Sequence, residues 1–408
     1  MAPSTPAPGL FDYQYYQDPY PAFEWLRNNA PMHEFRFPVG EVPMWIVSRY
    51  DDVRELMGDP RFSTDATAWA SDEFKASGMV LGEGTVFEKT LTVLDPPDHT
   101  RVRKLAMSAF TPRKIAQWKS TIEGVVAGAL DRLAAQEQPD LMDYAGQVAA
   151  EVMGAFLGFR LDRYEDTISA IERAFNPAPD SQDDVRLAYG EIEQYARELI
   201  EEKRREPGED LASTLITARD GGDRLSEDEL ASMIALMILA GLDTTRNLVG
   251  SASLGLLDFP DQRKLLAEQP ELIDAAVEEF LRYDGAFTIG LFRFAKEDLE
   301  FGGVRLRAGT PVVAALQSAN RDERKYVDPN RLDFTRTGPR HLGLGHGLHN
   351  CLGSALARLE TKIALPALFT RFPEMELAIP RDEIHYTEDW ISRTVITFPV
   401  RLGADHGN

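Results

Sequence analysis

Apolar and polar residues follow a helical spacing along most of the chain. The pattern is clear over 142–158, MDYAGQVAAEVMGAFLG, and over 187–208, LAYGEIEQYARELIEEKRREPG, and both segments end at glycine or Pro-Gly. Another helix is predicted from near Pro270 to Gly285. Short strands are predicted in MWIVSR at 44–49, FTIGLFRFA at 287–295, LEFGGVRLRAGTPVVAAL at 299–316 and TVITFPVRL at 394–402. The pattern therefore predicts a mainly helical fold with small β-sheets.

The longest predicted helix begins after Ser226. The sequence SEDEL places Ser226 at the N-cap and Glu229 three residues later, which is a capping box, and Leu225 and Leu230 flank it as a hydrophobic staple. The apolar run then continues to Pro260. About 32 helical residues span roughly 48 Å. A helix so long and so apolar is expected to cross the middle of the molecule.

Composition and charge exclude several classes of protein. The formal charge of −22 argues against a nucleic-acid partner. No uninterrupted apolar run reaches the roughly 18–20 residues of a membrane span, and the N-terminus lacks the features of a signal peptide. With one cysteine among 408 residues, an intrachain disulfide is impossible. We expect a cytoplasmic protein of one domain, 1–408, with about ten flexible residues at its start, and no membrane partner.

The single cysteine, Cys351, lies in the segment HLGLGHGLHNCLG at 341–353. Gly345, Gly347 and Gly353 surround it, and glycine lets a backbone approach a bulky partner or adopt positive φ. The sequence CLGSALARLETKIALPALF, at 351–369, has a helical pattern that starts at the sulfur. A thiol at a helix N-terminus is favoured as thiolate. The setting therefore indicates a functional thiol.

Several chemistries compete for Cys351. An inert core cysteine is the default, but the flanking glycines argue against it. No second cysteine supports a redox pair or an iron–sulfur cluster. Zinc would need Cys351 with His341, His346 and His349, at a spacing that matches no common site, and a Cys–His nucleophile would lack an oxyanion signature. A haem-thiolate ligand explains more, because the glycines let the loop lie against a macrocycle and the thiolate favours O–O cleavage.

LGHGLHNCLG resembles the haem-binding signature Phe-Gly-x-Gly-x-x-x-Cys-x-Gly of bacterial members of the cytochrome P450 superfamily. Gly345, Gly347, Cys351 and Gly353 match, while Leu344 replaces the usual phenylalanine. The resemblance runs from DPYPAFEWLR, at 18–27, to the tail. It implies the triangular helical P450 fold, with haem b as cofactor and the Cys351 thiolate as iron ligand.

AGLDTT, at 240–245 in the long helix, is similar to the family's oxygen-activation motif. Asp243, Thr244 and Thr245 are costly in an apolar helix unless they are hydrogen-bonded or used. The resemblance implies that Thr244 donates a hydrogen bond to iron-bound dioxygen. It implies that Asp243 relays protons from solvent, that Gly241 leaves room for oxygen, and that Ala240 lies against the haem.

EFLR, at 279–282, matches the family's Glu-x-x-Arg, with Glu279 and Arg282 on one helix face. The implied role is a structural ion pair that holds the cysteine loop. Relatives add a further arginine, for which Arg331 and Arg336 are equal candidates.

The haem propionates need charge-assisted partners. DPPDHTRVRKL, at 95–105, resembles a propionate-binding helix start, with His99 and Arg103 four residues apart. Arg293 and His349 resemble propionate ligands too, and His341 is a weaker candidate.

The substrate pocket is carried over from relatives by position. An expected lid covers 64–92. Strand alternation places Phe287, Ile289 and Leu291 on the face shared with Arg293, while relatives often have proline near Ala286. The expected lining residues are Leu236, Leu239, Ala240, Phe287, Ile289 and Ile391.

The implied function is insertion of one oxygen atom from O2 into a hydrophobic organic substrate, as a hydroxylation or epoxidation that tailors a secondary metabolite. Electrons are expected from NAD(P)H through a ferredoxin reductase and a ferredoxin, which would dock on Arg103, Lys104, Arg113 and Lys114. Two alternatives stay open at this point. One is radical coupling that forms a C–C, C–N or ether bond without oxygen insertion, and the other is a haem sensor without turnover.

Overall fold

The computed structural model describes residues 9–38, 40–77, 79–80, 82–107, 109–175, 182–218 and 223–407. Most of the predicted flexible start, residues 1–8, lies outside this range. Helices dominate the described residues, which confirms the predicted fold class. The α-helices are α1 Tyr13–Gln17, α2 Tyr20–Asn29, α3 Tyr50–Gly58, α4 Ala66–Trp69, α5 Asp72–Ala76, α6 Asp98–Met107, α7 Pro112–Ala116, α8 Lys119–Ala134, α9 Leu141–Leu157, α10 Tyr164–Phe175, α11 Gln182–Arg205, α12 Leu211–Thr217, α13 Glu227–Asp258, α14 Pro260–Glu268, α15 Ile273–Asp284, α16 Leu316–Asn320 and α17 Ser354–Arg371.

The strands form one mixed sheet and two small pairs within the described residues. They are β1 Met32–Arg36, β2 Pro43–Val47, β3 Phe62–Ser63, β4 Arg293–Ala295, β5 Leu299–Phe301, β6 Val304–Leu306, β7 Pro311–Ala314, β8 Glu376–Leu377 and β9 Val400–Arg401. The five-stranded sheet has the order β1-β2-β7-β4-β3, and only its β2–β7 pair is parallel. The other pairs are β5–β6 and β8–β9.

The long helix α13 confirms the prediction made from the sequence. Ser226 caps it, the Glu229 carboxylate bonds back to the Ser226 N–H at 2.8 Å, and Leu225 and Leu230 are both buried beside the cap. By length and composition α13 could cross a membrane, yet 61% of its most apolar stretch is buried inside the protein. Burial of that extent is typical of the central helix of a globular protein.

Two glycines bring α13 close to α9. A Cβ at Gly241 would lie 2.5 Å from Met153 Sδ, and one at Gly250 would lie 2.7 Å from Met142 Sδ. The methionines of α9 therefore occupy the space that side chains at these positions would need. This packing is a reason for glycine at 241 that the sequence did not predict, and the expected room for oxygen stays a prediction.

Two strand predictions are wrong in extent. Residues 287–292 lie outside the strands, because their backbone bonds to separate segments instead of one ladder: Thr288 N–H donates to Ile391 at 2.8 Å and Gly290 N–H to Ala314 at 2.8 Å. The tail is mostly irregular and contributes β8, β9 and isolated bridges. Apolar clusters fill both the helical body around α13 and the region of the mixed sheet.

Candidate functional site

The cysteine loop is shaped by two glycines with left-handed backbone. Gly345 has φ +76° and Gly347 has φ +71°, and a Cβ at Gly347 would lie 3.0 Å from the carbonyl oxygen of Met57. The Cys351 N–H donates to the Leu344 carbonyl at 2.9 Å and closes the loop. At Gly353 a Cβ would meet no heavy atom within 4 Å. Packing within the protein therefore explains the first two glycines but not Gly353.

The Cys351 thiol lies close to the N-terminus of α17. The helix begins at Ser354 with Gly353 at its N-cap. The sequence pattern predicts a helix that starts at Cys351, but in the structure the sulfur lies before the helix. The Cys351 side chain is solvent-accessible, yet the protein atoms around it raise the pKa of the thiol by desolvation. The Gly353 N–H and the charges of Arg103 and Arg358 act in the opposite direction. A bound metal ion would deprotonate such a thiol outright.

Four predicted propionate ligands come together beside the loop. The ring centroids of His99, on α6, and His349 lie 4.4 Å apart. His99 is fully buried, and neither of its nitrogens has a hydrogen-bond partner in the described part of the chain. Arg293, on β4, is 7% exposed, and no carboxylate of the described residues lies within 4 Å of its guanidinium. Arg103 donates to the Asn350 carbonyl at 2.7 Å.

The pKa shifts of these residues indicate that the cluster is suited to an anionic partner. Burial lowers the pKa of His99, and it lowers that of His349 to about 3 with help from the charges of Arg293 and His99. Burial also lowers the pKa of Arg293 to about 10. Buried cationic donors without acceptors are costly, so the cluster fits an anionic group. Two carboxylates of a haem beside a free thiol match this donor set.

His341, the weaker candidate, is engaged elsewhere. Its Nε2 lies 3.1 Å from a Glu278 carboxylate oxygen, and its Nδ1 accepts from the Gly343 N–H at 3.1 Å. Glu278 also binds Arg358, and these two partners hold the pKa of its carboxyl well below the usual value. His341 therefore anchors the start of the loop instead of joining the propionate cluster.

The polar residues in the middle of α13 are bonded within the helix. Asn247 donates to Asp243 Oδ2 at 2.9 Å, and Thr244 Oγ1 donates to the Ala240 carbonyl at 2.6 Å. Burial raises the pKa of Asp243 to about 6. The negative charge of Asp389 adds to this effect, while Arg246 and Asn247 oppose it. A carboxyl with a pKa near neutrality suits proton transfer.

Glu360 is a buried acid that sequence reasoning missed. It lies on α17 and is 2% exposed, its carboxyl bonds to Thr245 of α13, and Oε2 has no partner among the described residues. Burial raises its pKa to about 8. One signal was available, because Glu360 lies four residues from Leu356 and Ala364 on the buried face of α17.

The Glu-x-x-Arg pair is buried and recruits Arg336. Arg282 donates two hydrogen bonds of 2.7 Å to Glu279, and Arg336 Nε donates to Glu279 at 2.9 Å. Arg331 contributes only its carbonyl to Arg282, and its own side chain binds Asp261 at the surface. The structure thus distinguishes the two candidates that the sequence left equal.

The predicted pocket residues divide between two apolar clusters. Leu236, Leu239 and Ala240 belong to the helical cluster, and Phe287, Ile289 and Ile391 belong to the cluster under the mixed sheet. Ile289 is fully buried whereas Leu291 is half-buried, so they do not share one strand face as expected. Leu291 lines a small cavity with lid residues, among them Thr64, Met79 and Thr92, and with Val93 just after the lid.

Comparison with known proteins reveals extensive similarity. A cytochrome P450 family model matches residues 10–390. The chain is 39% identical to the vitamin D(3) 25-hydroxylase of Pseudonocardia autotrophica, over 97% of this chain and 96% of that protein. It is 35% identical to the mycinamicin IV hydroxylase/epoxidase of Micromonospora griseorubida, over 92% and 93%. The structure of the Bacillus subtilis bacillaene polyketide synthase cytochrome P450 PksS superposes with a TM-score of 0.88 at 32% identity, over 96% and 98%.

Proposed function

Because this chain belongs to the cytochrome P450 family and is a haem-dependent monooxygenase, we propose that Cys351 is its haem ligand. We further propose that the enzyme hydroxylates or epoxidises a hydrophobic product of secondary metabolism. The observation that supports the site most directly is the state of two buried side chains beside the lone thiol. Among the described residues, His99 has no hydrogen-bond partner and Arg293 has no carboxylate within 4 Å of its guanidinium. The thiolate would hold the iron, and the propionates would bind His99, Arg103, Arg293 and His349.

The bound haem supplies the redox-active iron at which O2 is reduced with two electrons, giving one oxygen atom to the substrate and one to water. The chain's own residues supply protons and exclude water. Asp243, with its pKa raised to about 6, alternates between holding and releasing a proton near neutral pH. Asn247 fixes one of its oxygens at 2.9 Å, so the other oxygen exchanges the proton.

Thr244 is the proposed next carrier toward the reaction site. Its hydroxyl hydrogen bonds to the Ala240 carbonyl at 2.6 Å, which leaves the oxygen lone pairs able to accept a hydrogen bond. Rotation of the hydroxyl would then turn its hydrogen toward the oxygen being reduced. Glu360, bonded to Thr245 on the next position of α13, stays protonated at neutral pH because burial raises its pKa to about 8.

The substrate is proposed to be large and apolar. The helical wall, with Leu236 and Leu239, faces apolar partners, and Phe287 and Ile391 come from the opposite cluster. The names of several relatives agree, since they are hydroxylases of vitamin D(3), of mycinamicin IV and of 6-deoxyerythronolide B. Lid residues beside Leu291 complete the proposed enclosure.

Electron delivery is proposed to come from a ferredoxin and its reductase in the cytoplasm. Lys104, Arg113 and Lys114 are exposed near α7 and provide a basic face for an acidic partner. Arg103 does not belong to that face, because it is half-buried and bonded to Asn350. Arg54 and Arg340 carry positive charge near His346 of the cysteine loop and extend the proposed basic surface.

A spectral titration of the purified ferric protein tests the proposal. Polyketides, peptides, terpenoids and small aromatic metabolites would be added while the haem band is followed. A low- to high-spin shift with one class identifies the substrate family, because it reports displacement of water from iron. The hit is then turned over under labelled dioxygen. One labelled oxygen in the product supports monooxygenation, whereas an unlabelled coupled product overturns it in favour of radical coupling.

A further inference from the structure

The first turn of α13 consists of three consecutive acids whose partners lie on three different parts of the molecule. Glu227 accepts two hydrogen bonds of 2.7 Å from Arg204 of α11. Glu229, the capping-box residue, accepts from Arg101 of α6. These two acids therefore join the start of α13 to α11 and to α6, and α6 carries the proposed haem ligands His99 and Arg103.

The middle acid, Asp228, binds the lid. Lys89 Nζ lies 2.9 Å from one carboxylate oxygen, and Arg197 of α11 donates to the other at 3.1 Å. Lys89 ends the 3₁₀ turn Val86–Lys89, which belongs to the end of the predicted lid. One carboxylate thus joins the lid to α11 across the start of α13.

A second connection closes a ring of interactions. Arg197 donates to Glu193, four residues earlier on α11, at 2.8 Å. Glu193 in turn accepts from the backbone N–H of Val86 at 3.0 Å. The lid turn, defined as residues 84–92, is therefore held at its first and last helical residues by one continuous charged network.

The inner side of the lid turn packs on apolar groups. The ring of Phe87 lies 4.8 Å from that of Tyr189 on α11, and both side chains are buried. The charged network lies outside this contact, with Lys89 and Asp228 about half exposed, at 54% and 48%. Since exposed ion pairs are individually weak and are screened by salt, the network can break without unfolding the core.

We propose that Asp228 is an electrostatic latch, which holds the lid turn against α11 and limits how fast bulky molecules reach the site. The inference rests on the proposed function, because it assumes that the lid turn covers the haem pocket. Loss of the latch frees the Lys89 end of the lid turn but leaves the haem ligands untouched. Salt acts on the latch in the same direction as the loss of Asp228.

The test uses the haem-loaded enzyme and two ligands of different size. Association of clotrimazole, a bulky imidazole, and of imidazole itself is followed by the shift of the haem band. Asp228→Asn and Lys89→Met each break the latch, and the double variant reveals whether they act through one contact. Glu227→Gln is the matched control, since it removes the same charge from the same helical turn without touching the lid.

We expect clotrimazole to bind about threefold faster in Asp228→Asn, in Lys89→Met and in the double variant alike. Imidazole binding should be unchanged. In the unaltered enzyme, about 0.5 M salt should give the same acceleration, and the variants should no longer respond. Equal rates in Asp228→Asn and Glu227→Gln, or additive effects of the two latch variants, would overturn the proposal.

Hydrogen exchange at the Val86 amide separates failure of the latch from failure of the proposed function. Faster exchange across 84–92 in Lys89→Met, with no change in α11, is expected whether or not haem is bound. Unchanged exchange overturns the latch even if azoles bind. If exchange accelerates but the reduced carbon monoxide complex lacks the red-shifted thiolate band, the latch stands and the haem-thiolate proposal falls.

Discussion

Asn247 lies one turn after Asp243 along α13 and donates its amide hydrogen to Asp243 Oδ2 at 2.9 Å. This bond favours the charged carboxylate, yet burial and the charge of Asp389 prevail and raise the pKa of Asp243 to about 6. The midpoint of its titration therefore lies much closer to neutral pH than that of an ordinary aspartate. Asp243 is costly to the fold and suited to proton exchange for the same reason.

Asp243→Asn should separate stability from activity. The folded pKa exceeds the unfolded one, so the acid destabilises the protein as pH rises from about 4 to about 6. Asparagine removes that cost, and the free energy of unfolding at pH 7 should rise by about 1–3 kcal/mol. Product formation should fall at least about tenfold through loss of the proton carrier. Urea unfolding and turnover measure the two effects, and an unchanged turnover would contradict the proposed role.

Thr244→Ala should uncouple electron use from product formation. The variant keeps the helix, because Thr244 bonds only to the carbonyl of Ala240. We expect NAD(P)H consumption to continue while the product formed per NAD(P)H drops several-fold and peroxide appears. Thr244→Ser, which restores the hydroxyl, serves as the control. Product per NAD(P)H equal to that of the unaltered enzyme would remove Thr244 from the proton path.

Glu360→Gln should change how stability depends on pH. Burial raises the folded pKa of Glu360 to about 8, far above that of the unfolded chain, so the folded protein binds an extra proton between about pH 4.5 and 8. The unaltered protein therefore loses stability as pH rises through this range, and the glutamine variant avoids that loss. Its stability advantage should grow by about 2–4 kcal/mol between pH 5 and 8. Parallel pH profiles of the two proteins would show that Glu360 is not held protonated.

The buried network of Glu279, Arg282 and Arg336 should be essential to folding. Glu279→Gln leaves two buried guanidinium groups without their carboxylate, at a cost of about 3–5 kcal/mol. Arg331→Ala removes only the exposed pair with Asp261 and should cost under about 1 kcal/mol. Thermal unfolding of the haem-loaded variants checks the contrast. Equal losses in the two variants would mean that the exposed pair of Arg331 contributes as much as the buried network, against the expectation.

Arg293→Met should weaken haem retention while it stabilises the haem-free protein. The guanidinium is buried with its pKa lowered to about 10, so its removal relieves desolvation. One charge-assisted bond to a propionate is worth about 1.5–3 kcal/mol, so haem loss to apomyoglobin should quicken about 10- to 100-fold. Arg331→Ala, which removes only an exposed ion pair outside the propionate cluster, is the control. Haem loss at the original rate in Arg293→Met would exclude it as a propionate ligand.

The parts of the fold that the sequence predicted well depend on residues close together in the chain. The capping box at Ser226 and the spacing of Glu279 and Arg282 are set within a few residues, so a chain pattern is enough to find them. The choice of Arg336 over Arg331 could not be made in this way. Both lie on the same irregular stretch, and only the packing against α15 decides which side chain faces Glu279.

Contacts between segments that are distant in sequence explain the remaining differences between prediction and structure. The surroundings of Glu360 on α17 include Thr245 of α13, 115 positions away in sequence, to which it is hydrogen-bonded. A pattern within α17 alone does not reveal this contact. Residues 287–292 have a β-like composition but find their hydrogen-bond partners at Ile391 and Ala314 rather than along a single neighbour. The composition of that segment predicts that it is buried, but it does not predict which segments its backbone bonds to.

Two of the glycines of α13, Gly241 and Gly250, have a practical consequence for enzyme engineering. Gly241 and Gly250 contact the side-chain ends of Met153 and Met142, so substitutions there displace these methionines and give no gain in cavity space. Leu236 and Leu239 lie on the same helix without that constraint, at the apolar wall of the proposed pocket. Mutant libraries meant to accept new substrates should therefore vary the leucines and leave the glycines fixed.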